Sequence, residues 1–248
     1  TRIASVTEKL VPIMACFYLV GALVMLVANI TNLPHAFALI FQGAFQPQAV
    51  LGGAMGIGVR EAMRYGVARG LFSNEAGMGS TPHAHALAKV EKPQDQGIVA
   101  MICVFIDTFV VLTITALVMI TSGALNVTDM SANPAAENMA QVAFSTVFGS
   151  FGDIFVAICL LFFAFSTIIG WDFFGRQNVK YLFGSKAVKV YSVIAVVCVA
   201  LGSVLDAPLV WNLSDLFNAL MVFPNLIALL ALSGLVAKVS REDHELRK

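Results

Sequence analysis

Charged residues are scarce in this sequence. Only 12% of its 248 residues are Asp, Glu, Lys or Arg, whereas 58% are hydrophobic and the mean hydropathy is +0.84. A soluble domain carries roughly 25% charged residues. The formal net charge is zero, so no overall field attracts nucleic acid or an anionic membrane surface. The composition predicts a protein whose solvent is the lipid bilayer and which has no nucleic-acid partner.

Paired cysteines and the common catalytic motifs are also lacking. The four cysteines lie singly in apolar runs without CxxC spacing, so we interpret them as small buried hydrophobic residues. HExxH, GxSxG and the P-loop do not occur, which disfavours hydrolases and ATP-driven pumps. We therefore expect no enzyme activity and no organic cofactor. The cysteines are Cys16, Cys103, Cys159 and Cys198.

Long apolar runs, in contrast, are abundant. About 20 apolar residues cross a bilayer as a helix, and five runs qualify. They are 10–30, 98–121, 154–171, 188–205 and 209–237. Pro224 should kink the last run. The shorter stretches 34–47 and 138–149 fit external helices instead.

The placement of Lys and Arg predicts the orientation of these runs. Basic residues precede the first and second runs, join the third to the fourth, and form the C-terminal tail, whereas 31–47, 123–150 and 203–212 have none. By the positive-inside rule the basic connections are cytoplasmic. The chain must then cross the membrane once more between residues 48 and 88. Arg60, Arg64 and Arg69 are expected on a short outer helix that leads to this crossing.

That crossing contains the segment RGLFSNEAGMGSTPHAHA, residues 69–86. Glycine costs roughly 1 kcal/mol inside a helix, and a glutamate at mid-bilayer costs about 2.5 kcal/mol or more. Non-helical backbone at that depth requires a protein interior or a water-filled cavity. A helix broken here exposes carbonyls and N–H groups that favour a cation and a carboxylate, the two charges of an amino acid. Close packing of small residues explains the glycines but leaves Glu75 without a role.

RGLFSNEAGMGS closely resembles the signature of the alanine or glycine:cation symporter family, the sodium:alanine symporters. VPIMACFY (11–18), FIDTFVVLTITALV (105–118), FAFSTIIGWDFFG (163–175) and VWNLSDLFNALMVFPNLIALL (210–230) are similar to that family as well. The resemblance implies sodium-coupled symport of alanine, glycine or another small neutral amino acid. It also implies a multi-pass protein of the bacterial or archaeal plasma (inner) membrane, and the positive-inside rule predicts a cytoplasmic C-terminus from the basic C-terminal tail.

The fold implied by the resemblance is an all-α polytopic membrane protein, the second half of a five-plus-five inverted-repeat (leucine-transporter-like) symporter. The sequence starts at Thr1 rather than Met, and we expect a fragment that lacks the first repeat and needs that N-terminal half as a partner. Residues 1–248 then form a single membrane domain. Its parts are core helix 5 (1–33), an external connection (34–60), broken core helix 6 (61–90), core helix 7 (97–122), an external helix (138–149), core helices 8 (151–183), 9 (187–205) and 10 (209–238), and a cytoplasmic tail (239–248).

The resemblance also implies two groups of site residues. The sodium ligands would be the carbonyl of Phe163 and the hydroxyls of Ser166 and Thr167, although Ser and Thr in a membrane helix often bond their own helix. Glu75 is expected to orient the unwound segment through hydrogen bonds rather than to meet the substrate amine. The substrate-binding residues would be Phe72, Ser73, Asn74, Glu75, Gly77, Gly79, Thr167 and Trp171.

Two carboxylates inside the apolar runs have open roles. Asp107 and Asp215 are either functional groups, as intramembrane carboxylates often are, or structural acceptors. In the structural interpretation Asp107 bonds Thr108, and Asp215 bonds Ser214 or Asn218.

Three other functions remain as alternatives. A proton-coupled permease of the same fold would use Asp107 or Glu75 as the proton carrier. An intramembrane zinc enzyme would use Glu75, His83 and His85, but two histidines two residues apart face different sides of a helix. A non-transporting membrane scaffold would bind no small ligand.

Overall fold

The computed structural model describes residues 2–45, 55–125 and 138–246, and in these ranges the regular secondary structure is entirely helical. The α-helices are α1 (Arg2–Ala28), α2 (Leu33–Phe45), α3 (Met55–Asn74), α4 (Thr81–His85), α5 (Pro93–Phe105), α6 (Leu112–Thr121), α7 (Met139–Phe148), α8 (Ser150–Phe183), α9 (Ala187–Gly202) and α10 (Ala207–Leu246). A 3₁₀ turn, Ile30–Asn32, precedes α2, and a π-helix, Ile106–Val111, joins α5 to α6.

Four helical stretches of the described chain are long and apolar enough to cross a membrane. They are Lys9–Ala28, Pro93–Thr121, Ser150–Phe183 and Ala207–Glu242. Most of their apolar side chains are exposed, as in a protein that faces lipid rather than water. The run predicted at 188–205 forms the 16-residue helix α9, about 24 Å long, which is short for a bilayer crossing.

The chain folds into two compact units. The first comprises Thr1–Tyr65 and Phe109–Ile169, and the second comprises Gly66–Thr108 and Gly170–Lys248. The helices α3 and α8 each contribute residues to both units.

Small and aromatic residues form the core of the first unit. The side chains of Ala22 and Met25 on α1 are fully buried, and Phe144 on α7 stacks on Phe155 of α8 at 5.1 Å between ring centroids. A Cβ on Gly152 would lie 2.6 Å from the backbone nitrogen of Ser145. Because that neighbour is backbone and cannot move aside, the tight turn between α7 and α8 requires glycine at this position.

Two polar contacts complete the first unit. The hydroxyls of Tyr18 and Thr115 lie 2.6 Å apart, which joins α1 to α6. The side-chain amide of Asn32 donates to the carbonyl of Thr121 at 3.1 Å. Both contacts satisfy polar groups that would otherwise face an apolar environment.

In the second unit, α10 runs beside α3 and α5. Gln94 at the start of α5 donates to the carbonyl of Val239 on α10 at 3.3 Å. The helix α10 spans 40 residues and continues through Pro224. Arg60, Arg64 and Arg69, expected on a short outer helix, all lie in α3, a helix of 20 residues that continues into the glycine-rich segment.

The cysteines need one correction. Within the described residues Cys159 is buried, but Cys16, Cys103 and Cys198 are exposed. Their apolar runs predicted burial because sequence alone does not separate the face of a membrane helix that packs on protein from the face that meets lipid.

Candidate functional site: a helix break in the second unit

The helix α3 ends at Asn74, and α4 begins seven residues later at Thr81. Between them Glu75 has φ 57° and Gly79 has φ 80°. Both angles lie in the left-handed region, which costs roughly 1–2 kcal/mol for a residue that carries a Cβ. Strain of this kind at a non-glycine residue persists only where the surrounding structure holds it, and such residues cluster at functional sites.

Side chains of the segment satisfy part of its own backbone. The Asn74 side-chain oxygen accepts the N–H of Ala76 at 3.2 Å. The Ser80 hydroxyl is buried and donates to the Glu75 carboxylate at 3.2 Å. In the described structure Glu75 therefore makes a hydrogen bond within its own segment, which stabilises the turn.

An amide from a distant helix contacts the same segment. The Nδ2 atom of Asn225 on α10 donates to the carbonyls of Ala76 at 3.0 Å and Gly77 at 2.9 Å. A Cβ added to Gly79 would lie 2.7 Å from Cγ of Asn225. Sequence reasoning missed Asn225, and the only local signal is an amide directly after Pro224 in an apolar run.

Asp107 pairs with the end of α3. The Ser73 hydroxyl donates to Oδ2 of Asp107 at 2.7 Å. Thr108, the partner that the structural interpretation assigned to Asp107, instead has a buried hydroxyl without a hydrogen-bond partner in the described structure. Asp107 and Thr108 both lie in the π-helix, a distortion frequently found at functional sites.

Asp215 pairs with an arginine rather than with Ser214 or Asn218. Arg69 Nη1 and Nη2 donate to the two Asp215 carboxylate oxygens at 2.7 and 3.2 Å, which is a bidentate arrangement. The guanidinium carbon also lies 4.3 Å from the ring centroid of Trp211. Arg69 and Trp211 were not predicted as site residues, although an arginine at the start of a glycine-rich membrane segment is itself a signal.

Two of the predicted substrate residues lie together in the second unit. The rings of Phe72 and Trp171 stack with centroids 6.4 Å apart and planes at 13°. Trp171 also meets Phe174 edge-on at 6.0 Å. Phe72 lies two residues before the end of α3, so this aromatic pair lies close to the helix break.

The predicted sodium ligands lie on the part of α8 that belongs to the first unit. The Ser166 hydroxyl donates to the Phe163 carbonyl at 3.0 Å, so these two oxygens are neighbours. It also lies 3.7 Å from the sulfur of Met14. The Thr167 side chain is exposed in its unit.

The two histidines of the segment have separate hydrogen-bond partners. The His83 Nδ1 atom lies 3.0 Å from the Ser80 carbonyl, whereas His85 is hydrogen-bonded to Gln96. No three His, Cys, Asp or Glu residues of the described chain lie close enough to hold a metal ion together. The zinc-enzyme alternative thus has no ligand cluster in the ranges that the structure covers.

Comparison with known proteins gives one family. The family model described as "Sodium:alanine symporter family" matches residues 1–248. The chain is 39% identical over 249 residues to the sodium/alanine symporter AgcS of Methanococcus maripaludis, an alignment that covers 99% of this chain and 53% of AgcS.

Two Bacillus proteins are similar as well. The probable sodium/glutamine symporter GlnT of Bacillus subtilis is 39% identical over 95% of this chain and 48% of its own length. A sodium/proton-dependent alanine carrier protein of Bacillus sp. strain PS3 is 36% identical over 93% of this chain and 54% of its own length. The chain spans about half the length of the curated relatives it matches.

Proposed function

Because the chain belongs to the sodium:alanine symporter family, we propose that it contributes the second repeat of a sodium-coupled symporter for alanine, glycine or a similar small neutral amino acid. That repeat would complete a five-plus-five inverted-repeat transporter together with a first repeat outside this sequence. The observation that carries the proposal is the helix break at Asn74, with left-handed backbone at Glu75 and Gly79.

The break offers backbone groups suited to a zwitterion. The carbonyl end of α3 carries partial negative charge and favours the substrate ammonium. The side-chain oxygen of Asn74 accepts the N–H groups of Ala76 and Gly77 in this structure, and a substrate carboxylate would take its place on these two donors. The neighbouring stack of Phe72 on Trp171 would limit the substrate side chain to a small group. These features support a preference for alanine or glycine over larger amino acids.

Sodium coupling is assigned to α8. The carbonyl oxygen of Phe163 and the hydroxyl oxygens of Ser166 and Thr167 are hard ligands, the type that cations such as sodium prefer. In this structure the Ser166 hydroxyl donates to the Phe163 carbonyl of its own helix at 3.0 Å, so sodium would bind at the remaining lone pairs of these two neighbouring oxygens. Bound sodium would then favour one arrangement of the transporter, and substrate would bind to that arrangement more tightly.

The proposed location is the plasma membrane, with a cytoplasmic C-terminus. The four apolar stretches long enough to cross a bilayer support a multi-pass arrangement. The orientation follows from the basic residues near the C-terminal end, by the positive-inside rule.

One alternative has an observation in its favour. Asp107 lies in a candidate membrane span and accepts the Ser73 hydroxyl from the end of α3. A carboxylate in contact with the broken helix is placed where a transported proton could control that helix. Proton coupling through Asp107 or Glu75 is therefore the second candidate function.

The deciding experiment is uptake of alanine and glycine into proteoliposomes by the full transporter polypeptide that carries this chain. Wild type and Thr167→Ala are compared under an inward sodium gradient, an equal potassium gradient and a pH gradient. The sodium proposal predicts uptake that needs sodium and falls at least tenfold in Thr167→Ala. Uptake that is equal in sodium and potassium but follows the pH gradient contradicts it and favours Asp107.

A further inference from the structure

The carbonyls of Ala76 and Gly77 have left the helical hydrogen-bond pattern. An unpaired carbonyl at membrane depth costs several kcal/mol. The Ala76 carbonyl accepts the N–H of Gly79 at 3.3 Å, whereas the Gly77 carbonyl accepts no backbone N–H of the described residues and needs a donor from elsewhere in the protein. The side-chain amide of Asn225 donates to both carbonyls, to Ala76 at 3.0 Å and to Gly77 at 2.9 Å. Asn225 follows Ala76 by 149 positions and Gly77 by 148 positions in the chain.

A carboxamide NH₂ group suits this position because it carries two hydrogens on one nitrogen. A single hydrogen bond would leave one peptide plane free to rotate. Two bonds from one nitrogen fix the relative orientation of two successive carbonyls, and hence of the two peptide units between Ala76 and Met78. No hydroxyl can replace it, since a hydroxyl has one hydrogen.

Gly79 fits against the other side of the same amide. A Cβ at this position would lie 2.7 Å from both Cγ and Oδ1 of Asn225. Glycine at residue 79 is thus required by the approach of Asn225 as well as by its φ of 80°. The amide and the glycine together specify one backbone arrangement for the break.

We propose that Asn225 is a positioning residue of the transport site, which holds the unwound backbone from Ala76 to Gly79 in the arrangement that binds substrate. This inference rests on the proposed function. Asn225 acts through the backbone that it orients. Its loss leaves the helices present but lets the peptide groups of the break rotate, so substrate is bound more weakly.

The first test measures the backbone directly and needs no transport. Amide hydrogen exchange is followed by mass spectrometry for peptides covering 72–82 in the purified, full-length protein. Asn225→Leu keeps the approximate size and removes both donors, and we expect exchange in this segment to rise about tenfold or more. Unchanged exchange overturns the proposal.

The second test uses uptake kinetics. Asn225→Leu should raise KM for alanine about tenfold, with a smaller effect on the maximal rate per folded transporter. Asn225→Gln retains the NH₂ group on a longer side chain. Its KM for alanine should therefore lie between the KM of wild type and that of Asn225→Leu. A role in packing alone predicts an unchanged KM and a rate that follows the folded fraction, and this result would overturn the proposal.

Asn178→Leu is the matched control. Asn178 lies in the same unit, but its amide donates to the Phe174 carbonyl of its own helix at 3.1 Å and is exposed. Exchange in 72–82 and KM should both stay within twofold of wild type. Should Asn225→Leu not fold, Asn225→Gln is compared with Asn178→Gln by the same two measurements. If wild type shows no sodium-dependent uptake, the proposed function fails, whereas the exchange experiment still decides whether Asn225 holds the segment.

Discussion

Two glycines near the helix break should respond to alanine in opposite directions. Gly79→Ala places a Cβ at φ 80°, which costs about 1–2 kcal/mol. The new atom would also lie 2.7 Å from the Asn225 side chain, and overpacking of this kind costs about 1–3 kcal/mol. The expected loss of stability is about 2–5 kcal/mol.

Gly70→Ala is the control for this prediction. Gly70 lies inside α3, and a Cβ there meets no atom within 4 Å. Alanine is a better helix former than glycine by about 1 kcal/mol, so this variant should be slightly more stable than wild type. Both substitutions add one methyl group. Gly70 lies four residues before Asn74, and Gly79 lies five residues after it.

The assay is thermal and denaturant unfolding of the purified full-length protein in one mild detergent. A double-mutant cycle with Asn225→Gly separates the two costs of Gly79→Ala, because every side-chain atom of the collision is removed, including the Cβ at 3.0 Å, while the backbone strain stays. In that background Gly79→Ala should cost only about 1–2 kcal/mol. Stability changes of the same sign and size for Gly70→Ala and Gly79→Ala, or strict additivity in the cycle, would refute the reasoning.

Two further contacts can be tested in the same unfolding assay. In a double-mutant cycle, Arg69→Ala and Asp215→Ala should show a coupling free energy of about 1 kcal/mol or less that weakens with added salt, because these side chains are 36% and 31% exposed. A coupling free energy of zero at low salt would contradict the view that this ion pair stabilises the fold. Ser73→Ala should cost about 1–3 kcal/mol by removing the hydrogen bond to the Asp107 carboxylate, whereas Ser73→Thr keeps the hydroxyl and should cost less. Equal costs for the two Ser73 variants would show that this bond contributes nothing.

The residues of the break illustrate what local pattern can predict. Glycines at 77 and 79 beside Asn74 and Glu75 in an apolar context disfavour a continuous helix, since both the backbone entropy of glycine and the desolvation of a carboxylate oppose it. These are costs of individual residues and need no knowledge of the fold. The helix end at Asn74 and the left-handed backbone at Glu75 and Gly79 lie within the stretch that this pattern indicates.

The partners of the polar side chains could not be predicted in this way. Nearest neighbours in sequence were the natural candidates for Asp107 and Asp215, yet Asp107 accepts from Ser73, and Asp215 accepts from Arg69 over 146 positions. A carboxylate binds the donor that packing brings within about 3 Å, and sequence distance does not limit that choice. The π-helix around Asp107 likewise has no signal in the apolar run that contains it.

By itself the sequence determined the apolar character of the protein, four of the five predicted membrane-spanning runs, the family and the segment in which one helix breaks. Apolar composition, run length and the intrinsic costs of glycine and glutamate are properties of short segments, so they can be read without a fold. Only the tertiary structure decided which groups hold the break open. The amide of Asn225 reaches Ala76 and Gly77 because α10 packs beside the end of α3, and packing of this kind depends on the whole unit rather than on any one segment.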